Sequence, residues 1–124
     1  MAVQQAVAER WKEVTGNVLT QAWGLTETSP AACINRPGDD FNGSIGLPIS
    51  STIITIRDDD GNALPQGQSG EICVEGPQVM RCYWNRADET EKVMLPGHVL
   101  RTGDIGYMDP QGYVFIEDRK KDMI

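Results

Sequence analysis

Apolar residues recur at two different periods along this chain. Val3, Val7, Trp11 and Val14 are spaced four, four and three apart, the period of one helical face, and predict a helix over 3–14. Gly16-Asn17 is its stop signal. A short extended stretch follows over 18–22. From Pro30 onward the pattern changes to short β-branched runs between Gly, Pro, Asn and Asp. A strand is expected over 52–57, then a turn at Asp60-Gly61 closed by Pro65. Residues 71–75 alternate, with Ile72 and Val74 on one face and Glu71, Cys73 and Glu75 on the other. Asn85 is the expected cap of a short helix over 87–94, with Asp88 as its capping-box partner. Residues 99–102 read as extended, and 105–108 and 113–117 as a hairpin through Asp109-Pro110-Gln111-Gly112. The pattern carries no internal repeat or low-complexity segment.

The fold class expected is therefore mainly β with a short N-terminal α/β piece, built as a small distorted antiparallel barrel or sheet. The boundaries fall at 1–30 for the end of an α/β unit, 31–120 for the antiparallel β unit, and 121–124 for a stub. Trp11 and Trp84 are expected as core anchors. The C-terminus, Asp122-Met123-Ile124, follows the charged run Asp118-Arg119-Lys120-Lys121 without a Gly or Pro stop, and reads as a cut.

Composition narrows the classes. A chain of 124 residues is long enough to bury roughly two-thirds of its unfolded surface. The net charge of −7 argues against a nucleic-acid or anionic-lipid binder, which needs a basic face. Cys33, Cys73 and Cys82 are odd in number and lack C-x-x-C spacing, so reduced thiols in a cytoplasmic protein are expected. The single histidine, His98, rules out a His-rich metal site. No stretch approaches the length of a membrane span.

Three segments offer chemistry. Trp23-Gly24-Leu25-Thr26-Glu27-Thr28-Ser29-Pro30 combines an aromatic face, a glycine, hydroxyls and a carboxylate. Trp23 can stack on a flat ring, Thr26 can donate to a phosphate oxygen, and Glu27 can hold Mg2+, which takes few protein carboxylates and completes its shell with phosphate oxygens. An ordinary strand-end loop with a packed tryptophan would carry the same residues. In Arg101-Thr102-Gly103-Asp104-Ile105-Gly106, a carboxylate at a strand end beside glycine can accept two ribose hydroxyls, or simply cap local N–H groups. In Glu117-Asp118-Arg119-Lys120-Lys121-Asp122, Arg119 can fork onto phosphate or ribose oxygens, or belong to a solvated charged turn.

Together, in order and spacing, these segments resemble the adenylate-forming family: acyl-CoA synthetases, firefly-type luciferases and peptide-synthetase adenylation domains. Gly24-Leu25-Thr26-Glu27 resembles its first loop. Gly43-Ser44-Ile45-Gly46-Leu47-Pro48 resembles the glycine-rich start of its β unit. Gly70-Glu71-Ile72-Cys73-Val74-Glu75-Gly76-Pro77 resembles a strand motif, and Thr102-Gly103-Asp104 with Gly112-Tyr113 to Arg119 resembles its two late nucleotide-site motifs. The stretches 102–113 and 118–124, and Gly76-Pro77-Gln78-Val79-Met80 with Tyr83-Trp84, are similar to bacterial long-chain fatty-acid–CoA ligases. Three positions depart from that pattern. Trp23 stands where Tyr or Phe is usual, Cys82 replaces a glycine, and Pro96-Gly97-His98-Val99-Leu100-Arg101 lacks the usual tryptophan.

The resemblance implies ATP-dependent activation of a fatty acid to an acyl-adenylate, then transfer to CoA. It implies that Trp23 and Gly24 line the adenine side of an ATP/AMP site and that Thr26 contacts phosphate. It further implies that Glu27 binds Mg2+, Asp104 holds the ribose, Arg119 touches ribose or phosphate, and Lys121 is the hinge. The phosphate loop, its lysine and most of the acyl tunnel would lie upstream, and a second catalytic lysine downstream. The expectation is thus a ligase fragment, inactive alone and prone to self-association, whose parent is cytoplasmic with peripheral contact to the inner membrane. A non-catalytic β module that binds a nucleotide or protein, and a medium-chain or aryl-acid ligase, are the alternatives.

Overall fold

The computed structural model describes residues 3–119. It opens with helix α1, Gln5–Thr15. The predicted stop is used: Gly16 takes φ 75° and its N–H caps the Lys12 carbonyl at 2.8 Å, a left-handed conformation that glycine adopts without a Cβ clash. The helix is as amphipathic as the spacing predicts, but its apolar face is not covered. Ala8 is its one buried residue, and Val7, Trp11 and Val14 are half or more exposed. Trp11 is therefore no core anchor.

The extended segment after α1 contributes a strand only at β1, Ala22–Trp23. It pairs antiparallel with β2, Cys33–Ile34, which pairs with β3, Leu47–Pro48. The remaining strands form a curled second sheet. β4 (Ile53–Arg57) pairs with β5 (Gly70–Glu75), β5 with β7 (Val99–Met108), and β7 with both β6 (Met94–Leu95) and β8 (Val114–Arg119). Every pairing is antiparallel. The sheets are joined where Ile45 N–H donates to the Val114 carbonyl at 2.8 Å and Val114 N–H donates to the Gly46 carbonyl at 3.0 Å. The fold class is mainly β, as expected.

Between the sheets lies one apolar core that includes Ala32, Cys33, Ile45, Ile54, Ile72, Val74, Leu100 and Val114. β5 corrects the simple alternation. Glu71 and Cys73, on the face opposite Ile72 and Val74, are buried as well. β5 sits between β4 and β7, and the curl of the sheet closes over both of its faces. The hairpin between β7 and β8 follows the prediction. Asp109 Oδ1 accepts the N–H groups of Gln111 (3.0 Å) and Tyr113 (2.9 Å), an Asx-type turn. The stretches expected at 99–102 and 105–108 are, however, one continuous ten-residue strand, β7.

The short helix α2, Ala87–Val93, forms where expected but starts differently. Asn85 has φ 50° and Arg86 is the cap residue, without a side-chain cap bond. Instead the Thr90 hydroxyl reaches back to the Arg86 carbonyl at 3.0 Å. Trp84, expected in the core, is 87% exposed.

The thiols divide sharply. Cys33 and Cys73 are buried and Cys82 is exposed; none is in a disulfide. Burial pushes the Cys33 thiol up to about 12, so thiolate is scarce at neutral pH. Alkylation of the folded chain by iodoacetamide at pH 8 is expected to stop at one equivalent, on Cys82, and to reach three only in denaturant. Peptide mass mapping checks this, and early labelling at Cys33 would contradict the core as described.

Candidate functional site

The loop after β1 is built by packing and by one buried hydroxyl. Leu25 precedes a 3₁₀ turn, Thr26–Thr28. The Thr28 side chain is fully buried. Its oxygen accepts Leu25 N–H at 2.8 Å, and its single proton lies between the carbonyls of Leu25 (2.9 Å) and Pro30 (2.8 Å). Ala32 N–H then donates to the Trp23 carbonyl at 2.9 Å and brings the chain back beside β1. Gly24 lies hard against this return: a Cβ there would stand 1.6 Å from the Pro30 carbonyl oxygen. Thr26 is thereby left exposed at the start of the turn, with Glu27 half-buried behind it.

Glu27 is held from the loop between β5 and α2. Its carbonyl accepts Met80 N–H at 2.7 Å, and its Oε2 accepts the Tyr83 hydroxyl at 2.7 Å. Burial, and then the hydrogen bond to Glu27, push the Tyr83 phenol up to about 12. At neutral pH it is a proton donor.

Asp104 lies on β7 and is buried. Its Oδ2 accepts the Trp23 indole N–H at 3.2 Å, a contact between residues 81 apart in sequence. Its backbone is fixed from β5. The Thr102 hydroxyl donates to the Ile72 carbonyl at 2.7 Å and accepts Asp104 N–H at 3.1 Å, while buried Glu71 accepts Gly103 N–H at 2.9 Å. Arg119 on β8 is the cross-strand partner of Asp104, so the two side chains leave the same face of the sheet. Arg119 is exposed.

The fold thus gathers the three segments singled out in the sequence. Trp23 touches Asp104, Asp104 faces Arg119, and Gly24 leads from Trp23 into the turn that carries Thr26 and Glu27. Lys121 lies outside the described residues. Four residues that hold this arrangement were not legible as such: Thr28, Glu71, Tyr83 and Thr102. Tyr83 had a signal in the Tyr83-Trp84 pair, and Glu71 in its place at the head of the β5 motif, but neither contact follows from spacing.

The donor set suits a metal that arrives with phosphate. Among the described residues no three His, Cys, Asp or Glu side chains cluster as a metal cage. Glu27 offers one carboxylate beside an exposed threonine, and among the described residues its Oε1 takes no hydrogen bond. One carboxylate plus triphosphate oxygens is the way Mg2+ is commonly held. Asp104 likewise keeps Oδ1 without a hydrogen bond among the described residues.

A sequence profile of AMP-binding enzymes matches residues 1–84. Over its whole length the chain is 52% identical to a long-chain-fatty-acid–CoA ligase of Escherichia coli O6:H1, strain CFT073, and spans 22% of that relative. Among solved structures, an ATP-bound RpMatB–BxBclM chimera superposes with a TM-score of 0.90 at 31% identity, over 98% of this chain and 24% of the other. The anthranilate CoA ligase AuaEII in complex with anthranoyl-AMP superposes with a TM-score of 0.90 at 30% identity, over 98% and 23%.

Proposed function

The chain belongs to the family of AMP-binding enzymes, and on that footing we propose that it supplies one wall of the ATP/AMP site of a fatty-acid–CoA ligase. The reaction joins a carboxylate to the α-phosphorus of ATP with release of pyrophosphate. The acyl group then passes from AMP to the thiol of CoA. In this reading Trp23 offers a face to adenine, Asp104 accepts the ribose hydroxyls, and Arg119 reaches ribose or phosphate. Thr26 donates to a phosphate oxygen, and Glu27 holds Mg2+. The metal, when bound, neutralises phosphate charge during displacement. The chain's own part is to present donors and acceptors in fixed places, which is where electrostatic catalysis gains most.

The observation that carries the proposal is the meeting of three distant segments: Trp23 on Asp104 at 3.2 Å, and Asp104 opposite Arg119. An isolated charged turn or a packed tryptophan would not need the other two. The identity of 52% with a long-chain-fatty-acid–CoA ligase favours a long-chain acid over an aryl acid, since a probable 4-coumarate–CoA ligase of Dictyostelium discoideum stands at 39% and the anthranilate enzyme at 30%.

A domain exchange tests it. This chain replaces the matching 125 residues of the E. coli relative. The chimera is expected to make palmitoyl-CoA with kcat/KM within about tenfold of the unaltered ligase, a barrier change of about 1.4 kcal/mol. A folded chimera that forms no acyl-adenylate from any of palmitate, octanoate or benzoate would overturn the proposal. Preference for benzoate would overturn only the choice of acid.

A further inference from the structure

Among the described residues, the hydrogen bonds to the Glu27 carbonyl and carboxylate come from a single short segment. Met80 N–H takes its carbonyl and the Tyr83 hydroxyl takes its carboxylate. That segment is itself anchored. Tyr83 N–H donates to Thr90 Oγ1 at 2.9 Å, and the Thr90 hydroxyl donates to the Arg86 carbonyl at 3.0 Å. A continuous run of bonds therefore leads from the first turn of α2, through Tyr83, to a carboxylate 56 residues earlier in the chain.

We propose that Tyr83 is a positioning residue for the metal site: its hydroxyl ties down Oε2 of Glu27 and leaves Oε1 directed to the divalent cation that accompanies ATP. The proposal rests on Glu27 being the metal ligand. Nothing in the family match itself requires it, because the match to AMP-binding enzymes does not assign Tyr83 a role.

Two effects of the hydroxyl oppose each other. As a donor it draws charge from the carboxylate, which weakens the ligand. As a tether it removes the side-chain freedom that a glutamate would otherwise lose on binding the ion, which strengthens the site. The tether dominates here. If the hydroxyl were deleted, water would take its place on the half-exposed carboxylate, so little basicity would be regained, whereas the orientation would be lost outright. Outer partners of metal ligands behave this way in general.

The hydroxyl is not what folds the loop. Residues 24–30 are closed by Thr28, by the packing of Gly24 under Pro30 and by the backbone bond from Ala32 to Trp23. Met80 N–H stays on the Glu27 carbonyl whether or not Tyr83 carries an oxygen. Tyr83→Phe should thus spare the fold and change the metal site.

The test uses the chimera of this chain with the E. coli ligase, labelled with 15N only over these 124 residues by segmental ligation, and Mn2+ with ATP as the paramagnetic probe. Line broadening of the amide signals of residues 26–28 is followed against Mn2+ concentration in wild type, Tyr83→Phe and Glu27→Gln. The midpoint is expected to rise about 10-fold in Tyr83→Phe, the lower end of what loss of an outer partner costs. The thermal midpoint of that variant should stay where it is, and in Glu27→Gln the local broadening should vanish. Equal midpoints in wild type and Tyr83→Phe, with the broadening still lost in Glu27→Gln, overturn the positioning role and leave Glu27 as ligand. Broadening that persists in Glu27→Gln, or none near residue 27 in wild type, overturns both. Collapse of amide dispersion in Tyr83→Phe would make the hydroxyl structural and overturn the proposal as well.

Discussion

Gly24→Ala is expected to lower the unfolding free energy of this chain by about 3 kcal/mol, at the upper end of the usual cost of overpacking. The added methyl would stand 1.6 Å from the Pro30 carbonyl oxygen, 2.6 Å from its carbon and 2.7 Å from the Ala31 Cα. All three are backbone atoms, so no side chain can swing away to make room. The same carbonyl accepts the Thr28 hydroxyl, and the neighbouring Ala32 N–H pairs with Trp23. Moving it therefore disturbs the 3₁₀ turn and the β1–β2 pairing together. Gly24 is not in a left-handed conformation, so the penalty is steric. Without the clash, alanine would be mildly stabilising through the unfolded state. The sign of the change thus decides the matter. Urea denaturation of wild type and variant measures it, and an unchanged or raised midpoint would mean that residues 24–30 are looser than their contacts indicate. A loss of this size is a large part of the total stability of an ordinary domain.

The elements that local rules govern could be read before the fold was known. The helix stop at Gly16 is a matter of one residue's conformation, the strand over Ile53–Arg57 of β-branched side chains, and the β7–β8 turn of an aspartate and two N–H groups. What failed was the inference from pattern to burial. The spacing of Val7, Trp11 and Val14 tells which face of α1 is apolar; it does not tell what covers that face, and among the described residues little does. Alternation in β5 puts Glu71 and Cys73 opposite Ile72 and Val74, but only the position of β5 inside a curled sheet makes both faces interior. The candidate site divides along the same line. Trp23, Glu27, Asp104 and Arg119 stand in segments whose composition already marked them. Their supports do not: the Thr28 knot, the Tyr83 tether and the Glu71 contact to Gly103 are tertiary, and the last two span 56 and 32 residues. The bond from Trp23 to Asp104 is of the same kind. Under the proposed function it gives the indole a second use, since the ring proposed to face a base also fixes the carboxylate beside it through its edge.

Asp104→Ala is expected to reduce kcat/KM for ATP by about 100- to 1,000-fold in the chimera with the E. coli ligase, chiefly through KM. A carboxylate that accepts two ribose hydroxyls makes two charge-assisted hydrogen bonds of about 1.5–3 kcal/mol each, and losing about 3–4 kcal/mol in all corresponds to that range. The structure supports so large a share for one residue. Asp104 is buried, its backbone is braced through Thr102 and Gly103 just before it, and Trp23 occupies only one of its oxygens. It therefore meets a ribose already ordered, without the entropy that a surface carboxylate would lose. Trp23→Phe separates the two things this contact does. It keeps an aromatic face for adenine but removes the N–H donor, so Asp104 loses its tether. Its effect should be smaller, about 10-fold, the size of one modest hydrogen bond. The comparison with CoA sharpens the test. KM for CoA and for palmitate should move little in either variant, because neither side chain is assigned to them. An Asp104→Ala chimera that folds and keeps its KM for ATP would show that the carboxylate serves the Trp23 contact alone, and would remove the ribose from this wall of the site.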